Sequence, residues 1–281
     1  MTAVMRSLIF LEYAFVVAFV CGALSPMCYA QKGAFNPNEG VRNAGMATPS
    51  PIDKMLALNN LLGKKVQWKQ VAKAYKNYMD VDEYSDKNVV LPILMGMRMS
   101  DGVIAIQARD VEVLNAASSD IESMAERLGV NQGQLMRAKK VRSYANNNKW
   151  NRVFLELGFL QKDVMDTMAK DGNRDRRSIL IAAGWIQGAN IISEVVLKHY
   201  SADTSGLLRE PLLVKQMTKD IGSLKEQSRN NPLIVDMLET LNKLQKNIDV
   251  PLNSGISEAK VKEINEITSQ FTQRVLTNNR R

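Results

Sequence analysis

The chain has 281 residues, 45% of them hydrophobic and 23% charged, with a formal net charge of +8. That apolar share supports one large core or two small ones and excludes wholesale disorder. A single histidine and two cysteines leave little material for His/Cys zinc sites, a His-pair metal centre or a cysteine nucleophile.

The first thirty residues read as an export signal. Arg6 precedes the apolar run from Tyr13 to Val20, and Pro26 leads to the short exit Cys28-Tyr29-Ala30. A positive start, an apolar middle and a small residue at the cut are the marks of a secretory leader. Cleavage after Ala30 removes Cys21 and Cys28, so the exported part carries no thiol and relies on packing rather than disulfides. Arg6 and Glu12 leave together, and the remainder keeps its +8. Two rival readings exist. A retained anchor needs roughly 20 apolar residues, more than Tyr13 to Leu24 supplies. A lipid-modified cysteine is poorly served by Met27 before Cys28 or Val20 before Cys21.

Residues 31–50 hold Gly33, Pro37, Gly40, Gly45 and Pro49 with little apolar period, the composition of a flexible leader. Residues 51–281 read as a single all-helical domain. Starts are marked by Ser50-Pro51-Ile52-Asp53, by Asn131 with Gln134 and a Val130–Leu135 staple, by Asn231-Pro232, and by Ile256-Ser257-Glu258. Gly129, Asp171-Gly172 and Val250-Pro251 mark stops. Apolar periodicity between these signals predicts helices over 51–62, 66–79, 88–108, 111–128, 132–146, 149–171, 175–199, 207–228, 232–248 and 257–276. No segment joins strand-like alternation to hairpin turn residues. The expected fold is all-α, a bundle of about nine or ten helices, with an irregular helix-pair solenoid as the alternative.

Two helices, from Val89 and from Ile179, are apolar nearly all round and should form the centre of the core. Arg98 and Asp101 in the first, and Gln187, Asn190 and Glu194 in the second, argue against membrane spans. Gly96, Ser100 and Gly102, with Ala183, Gly184 and Gly188, would let neighbouring helices approach closely. The same two helices carry the carboxylates of unusual context. Asp101 and Glu194, forced into low dielectric, would have raised pKa values unless paired, and Arg98 stands one turn before Asp101, where pairing is easy. Arg98, Asp101 and Glu194 are therefore a candidate buried polar cluster, read first as paired charges. His199 falls at a helix end, a position suited to capping the last carbonyls. There is no reason to expect a metal or a cofactor.

Cations interleave with aromatics twice: Lys64, Lys65, Lys69, Lys73 and Lys76 with Trp68, Tyr75 and Tyr78, then Arg137, Lys139, Lys140, Arg142, Lys149 and Arg152 with Tyr144 and Trp150. Such mixtures suit glycans or an anionic interface, which makes Trp68, Tyr75, Trp150 and Trp185 a candidate binding surface. At helical spacing, however, Trp68, Val71, Ala72 and Tyr75 form an inward stripe and the lysines a solvated face.

At Met97–Ala105, Gly184–Asn190 and Asn230–Ile234 the chain resembles a group of exported helical bacterial proteins. These pair a Gly-Val-Tyr-x-Ala-Asp-like helix with a later Gly-x-Trp-Ile-Glu-Gly-like helix, across roughly residues 85 to 248 here. Gly102-Val103 and Gly184-Trp185-Ile186-Gln187-Gly188 echo them, with Gln187 in place of the acid. The resemblance implies export and a helical fold but no activity. The expected function is a periplasmic or cell-envelope binding or interaction module without catalysis. Its partner would be an anionic envelope component or another envelope protein, with no nucleic acid and no integral membrane domain after cleavage. The alternatives are a carboxylate-dependent hydrolase of envelope polymers, using Asp101 and Glu194, and a membrane-tethered structural protein.

Overall fold

In a computed structural model of the protein, the described residues are 60–62, 65–129, 132–153, 155–156, 159–160, 174–251 and 254–277. Every described residue belongs to one compact unit, Pro51–Arg281. The export signal, the flexible leader, most of helix 51–62 and the Val130-Asn131 start lie outside the described residues.

The described residues form an all-α, multi-helix bundle with no strand among them. In chain order its helices are α1 (Trp68–Lys73), α2 (Val90–Ala108), α3 (Val111–Arg127), α4 (Gln132–Asn146), α5 (Arg174–Lys198), α6 (Ala202–Gly206), α7 (Pro211–Gly222), α8 (Glu226–Arg229), α9 (Pro232–Ile248) and α10 (Glu258–Thr277), with a 3₁₀ turn at Val81–Glu83. Local chemistry explains several boundaries. Asp110 caps α3 by accepting from the Glu112 and Val113 amides. Arg109 takes a left-handed conformation, φ 50°, to end α2. Asn231 caps α9, with Pro232 at its first position.

α2 lies against α5, its most extensive partner, and is flanked by α1 and α3; α4 covers the outer side of α3. On the far side, α5, α10, α9 and α7 contact one another in a closed cycle. A cycle of this kind is a bundle, since helix pairs in a solenoid meet only their sequence neighbours.

Two expected helices are corrected. The helix expected over 66–79 ends at Lys73. Beyond it the Tyr75 and Lys76 carbonyls turn to the Arg98 guanidinium, at 2.6 and 3.1 Å, instead of continuing a helical ladder. The helix expected over 207–228 is replaced by α7 and α8, and the short α6 precedes it. Pro211 has no amide to donate and opens α7. Ser201 and Thr204 form a reciprocal cap that starts α6 before it.

α2 and α5 are long and apolar enough to cross a membrane by length and composition. In the fold 89% of each apolar window is covered by other parts of the chain. At their crossing the expected close approach is found at Gly96 and Gly184 but not at Gly102, beside which nothing lies within 4 Å. A Cβ on Gly96 would stand 2.2 Å from the Leu180 carbonyl oxygen and 2.9 Å from the Gly184 amide. Ser100 uses the same close approach to donate to the Gly184 carbonyl at 2.7 Å.

Candidate functional site

Arg98 is 1% exposed and Asp101 0%. The guanidinium donates through Nη1 to the Tyr75 carbonyl at 2.6 Å and to Asp101 Oδ2 at 3.3 Å. Its Nη2 donates to the Lys76 carbonyl at 3.1 Å and pairs with Asp120 Oδ2 at 2.5 Å. Its face lies 5.5 Å from the Tyr78 ring centre, a cation–π contact. Asp101 is saturated in turn. Tyr78 Oη donates to its Oδ2 at 2.7 Å and Gln187 Nε2 to its Oδ1 at 2.8 Å. One guanidinium thus joins α2 to α3 and to the segment after α1, while one carboxylate joins α2 to α5.

The electrostatics follow from this sealing. Burial pushes the Asp101 carboxyl up to about 6, although the Arg98 charge and its three donors all work the other way. Burial likewise raises the Tyr78 phenol, helped by the charge on Asp101, and raises Asp120 against the pull of Arg98.

Above this network lies a cavity of about 500 Å³. Tyr78 and Asp120 connect the two, because both line the cavity and both hold the buried ions. Asn77, Asp80, Ser119 and Ser123 also line it. The wall rich in hydrogen-bonding groups comes from two sources. Ser119, Asp120 and Ser123 recur on one side of α3, and the 3₁₀ turn is held by the Asp80 side chain, which accepts from the Asp82 amide. Arg127 reaches from the end of α3 to the Val81 carbonyl at 2.8 Å and to the Tyr84 carbonyl, tying the rim to the helix.

The other site candidates lie elsewhere. Glu194 is not part of the buried cluster: its side chain is 41% exposed and pairs with Lys198 at 2.7 Å. It sits one turn before the end of α5 and lines a second cavity of about 310 Å³ with Lys65, Gln67, Lys198 and His199. The candidate binding surface of aromatics is also corrected. Trp68, Trp150 and Trp185 are all buried, because an indole removes more apolar area from water than any neighbouring side chain on its helix. Trp185 settles its N–H on Glu210 at 2.6 Å. Tyr75 is half-buried, packed edge-on to Tyr78 with ring centres 5.7 Å apart.

Tyr78, Gln187 and Asp120 complete the site and were not singled out as site residues by sequence reasoning. Gln187 had a visible signal, an amide inside an otherwise apolar helix. So did Asn190 and Ser193. These three face α10, where Thr272 donates to Gln187 Oε1 at 3.2 Å and Thr268 to Asn190 Oδ1 at 3.2 Å, while Asn265 donates to Ser193 Oγ at 3.1 Å. Asp120 gave no signal, since on α3 it reads as one more solvent-facing acid.

No group of three or more His, Cys, Asp or Glu side chains among the described residues is arranged to hold a metal ion. Comparison of the chain with family models, curated proteins and solved structures returns no match.

Proposed function

We propose that the protein is an exported, periplasmic or cell-envelope binding module, and that the polar cavity over the Arg98–Asp101 network is its ligand-binding cleft. Its export rests on the leader-like first thirty residues, with cleavage after Ala30. The observation that carries the cleft is its floor. Tyr78 and Asp120 are each held by a fully buried partner ion, so two polar groups stand preorganised at the base of a cavity whose size suits a small molecule. Ordering those groups beforehand removes part of the entropic cost of binding.

Catalysis by Asp101 and Glu194 has no supporting geometry. Asp101 is sealed and satisfied by three donors, whereas Glu194 lines a separate cavity and faces Lys198. Two carboxylates acting on one scissile bond must flank it.

A library of small polar molecules (amines, polyols and amino acids) tests the reading by protein-observed NMR. The expected result is a set of shift changes confined to 77–83 and 119–123, abolished by Ser119→Trp. Binding that maps elsewhere, or that survives Ser119→Trp, removes the cleft from consideration. N-terminal sequencing of protein recovered from the producing cells tests export: a start at Gln31 supports it, and an intact Met1 in a membrane fraction supports a tethered protein.

A further inference from the structure

We infer that the hairpin beginning with α4 is a docking surface for an anionic lipid bilayer, distinct from the cleft and independent of it. The sequence concentrates charge here. Between Glu126 and Glu156 there is no acidic residue, and Arg137, Lys139, Lys140, Arg142, Lys149 and Arg152 contribute six positive charges to a chain whose total is +8. The fold then sorts these cations. Arg142 turns to Glu122 of α3 at 2.5 Å and Arg137 to Glu156 at 3.2 Å, which pins α4 between its two neighbours. Lys139, Lys140, Lys149 and Arg152 are all exposed and form no ion pair among the described residues.

Their placement makes a surface. Met136, Lys139, Lys140 and Ser143 follow the three- and four-residue spacing of one helix face, and all four are exposed. The pair Arg137–Glu156 shows that the helical residues from Trp150 onward run back along α4. Arg152 stands one turn before Glu156, on the edge of that helix nearest α4. Lys149 sits at the tight turn between them, its amide donating to the Tyr144 carbonyl at 2.8 Å.

The chemistry favours a bilayer over a glycan or a nucleic acid. Trp150, the indole that would stack on a sugar or a base, is buried in the core. What remains outside is a set of long, flexible cations around one exposed apolar side chain, Met136, which is 55% exposed. Cations that reach headgroup phosphates and a thioether that enters the interface are the elements of peripheral binding to anionic lipid.

The test uses the full chain and vesicles of phosphatidylcholine with and without phosphatidylglycerol, read by co-sedimentation. Binding to neutral vesicles measures any contribution of the apolar leader, and the difference measures the charged face. Each cation near an anionic surface is worth about fivefold in partitioning, so Lys139→Glu with Lys140→Glu weakens the anionic-specific part by at least about 25-fold. Raising salt should weaken it too. Lys215→Glu with Lys219→Glu on α7, which changes net charge equally, should leave binding close to that of the parent. Circular dichroism checks folding, and Lys139→Gln with Lys140→Gln serves if the reversal unfolds α4. Equal losses in both pairs overturn the proposal, as does the absence of any preference for anionic vesicles. Retention on an anionic polysaccharide without vesicle binding also overturns it and assigns the face to a polymer.

Discussion

Arg98 on α2 and Lys140 on α4 are both cations on helices, yet the fold treats them in opposite ways. Arg98 is enclosed, and two carboxylates, two carbonyls and a ring are gathered round it. Lys140 is left to water with no carboxylate partner among the described residues. The difference lies in the surrounding helix. α2 is apolar on every side, so a charge placed there must bring its own polar shell or forfeit its hydration. α4 is apolar on one stripe only, through Ala138, Val141 and Ala145, and its opposite face needs nothing but solvent. Charge on α2 therefore organises structure, and charge on α4 remains available to a partner.

The largest effect should come from emptying the enclosed site. Arg98→Met leaves two carbonyls without their donor and Asp101 and Asp120 without their counter-charge, and should destabilise the protein by about 3–5 kcal/mol in denaturant unfolding. The double variant Arg98→Met with Asp101→Leu should recover part of that loss, because no fully buried charge then remains unpaired and Asp120, whose side chain is part-exposed, keeps access to water. A double variant no more stable than the single one would mean that packing, not charge, governs the contact.

Nearly as large is the effect of separating α2 from α5. Gly96→Ala drives a Cβ into backbone at 2.2 Å and should cost about 3 kcal/mol. Gly102→Ala on the same helix meets nothing within 4 Å and should be neutral or stabilising by up to about 1 kcal/mol. Similar costs at both positions would show that the close crossing is not what requires glycine.

Asp101 gives the enclosed site a pH signature. Its carboxyl is raised from 3.8 to about 6, so between those values the folded state holds a proton that the unfolded chain has released. Its contribution to stability is present below about pH 4 and is lost as pH rises through about 6, a decline on the order of 2–3 kcal/mol. Asp101→Asn should remove that slope from the stability–pH curve. A curve that keeps the slope in the variant would assign the titration to another group.

A smaller effect belongs to the hydroxyl at the crossing. Ser100→Ala loses one buried bond to the Gly184 carbonyl and should cost about 1 kcal/mol. At the other extreme, Lys139→Ala and Lys140→Ala should leave the unfolding midpoint where it is. A marked drop would mean that these lysines hold structure, and the contrast between the two regions would fail.

Much of the helical layout was readable from the chain. The spans over 132–146 and 232–248 coincide with α4 and α9, and those over 88–108, 111–128, 175–199 and 257–276 differ from α2, α3, α5 and α10 by a residue or two. These helices have apolar periods bounded by local signals such as Asn231-Pro232. The span over 207–228 runs through Pro211 and misses the break there, although a proline seldom continues a helix. The early end of α1 was not legible, because the competitor for its carbonyls is Arg98, more than twenty residues away.

Sequence by itself determined that the chain is helical, which two helices lie at its centre, and that Arg98 and Asp101 share a face. Each of these depends on residues within a turn or two of one another. Tertiary structure decided where the polar atoms go. It brought Asp120, Tyr78 and Gln187 to the Arg98–Asp101 pair, put Glu194 at the surface, drew the tryptophans inward and left the lysines of α4 outside. A side chain's solvent is set by helices far away in sequence, and no local pattern records which of them will arrive.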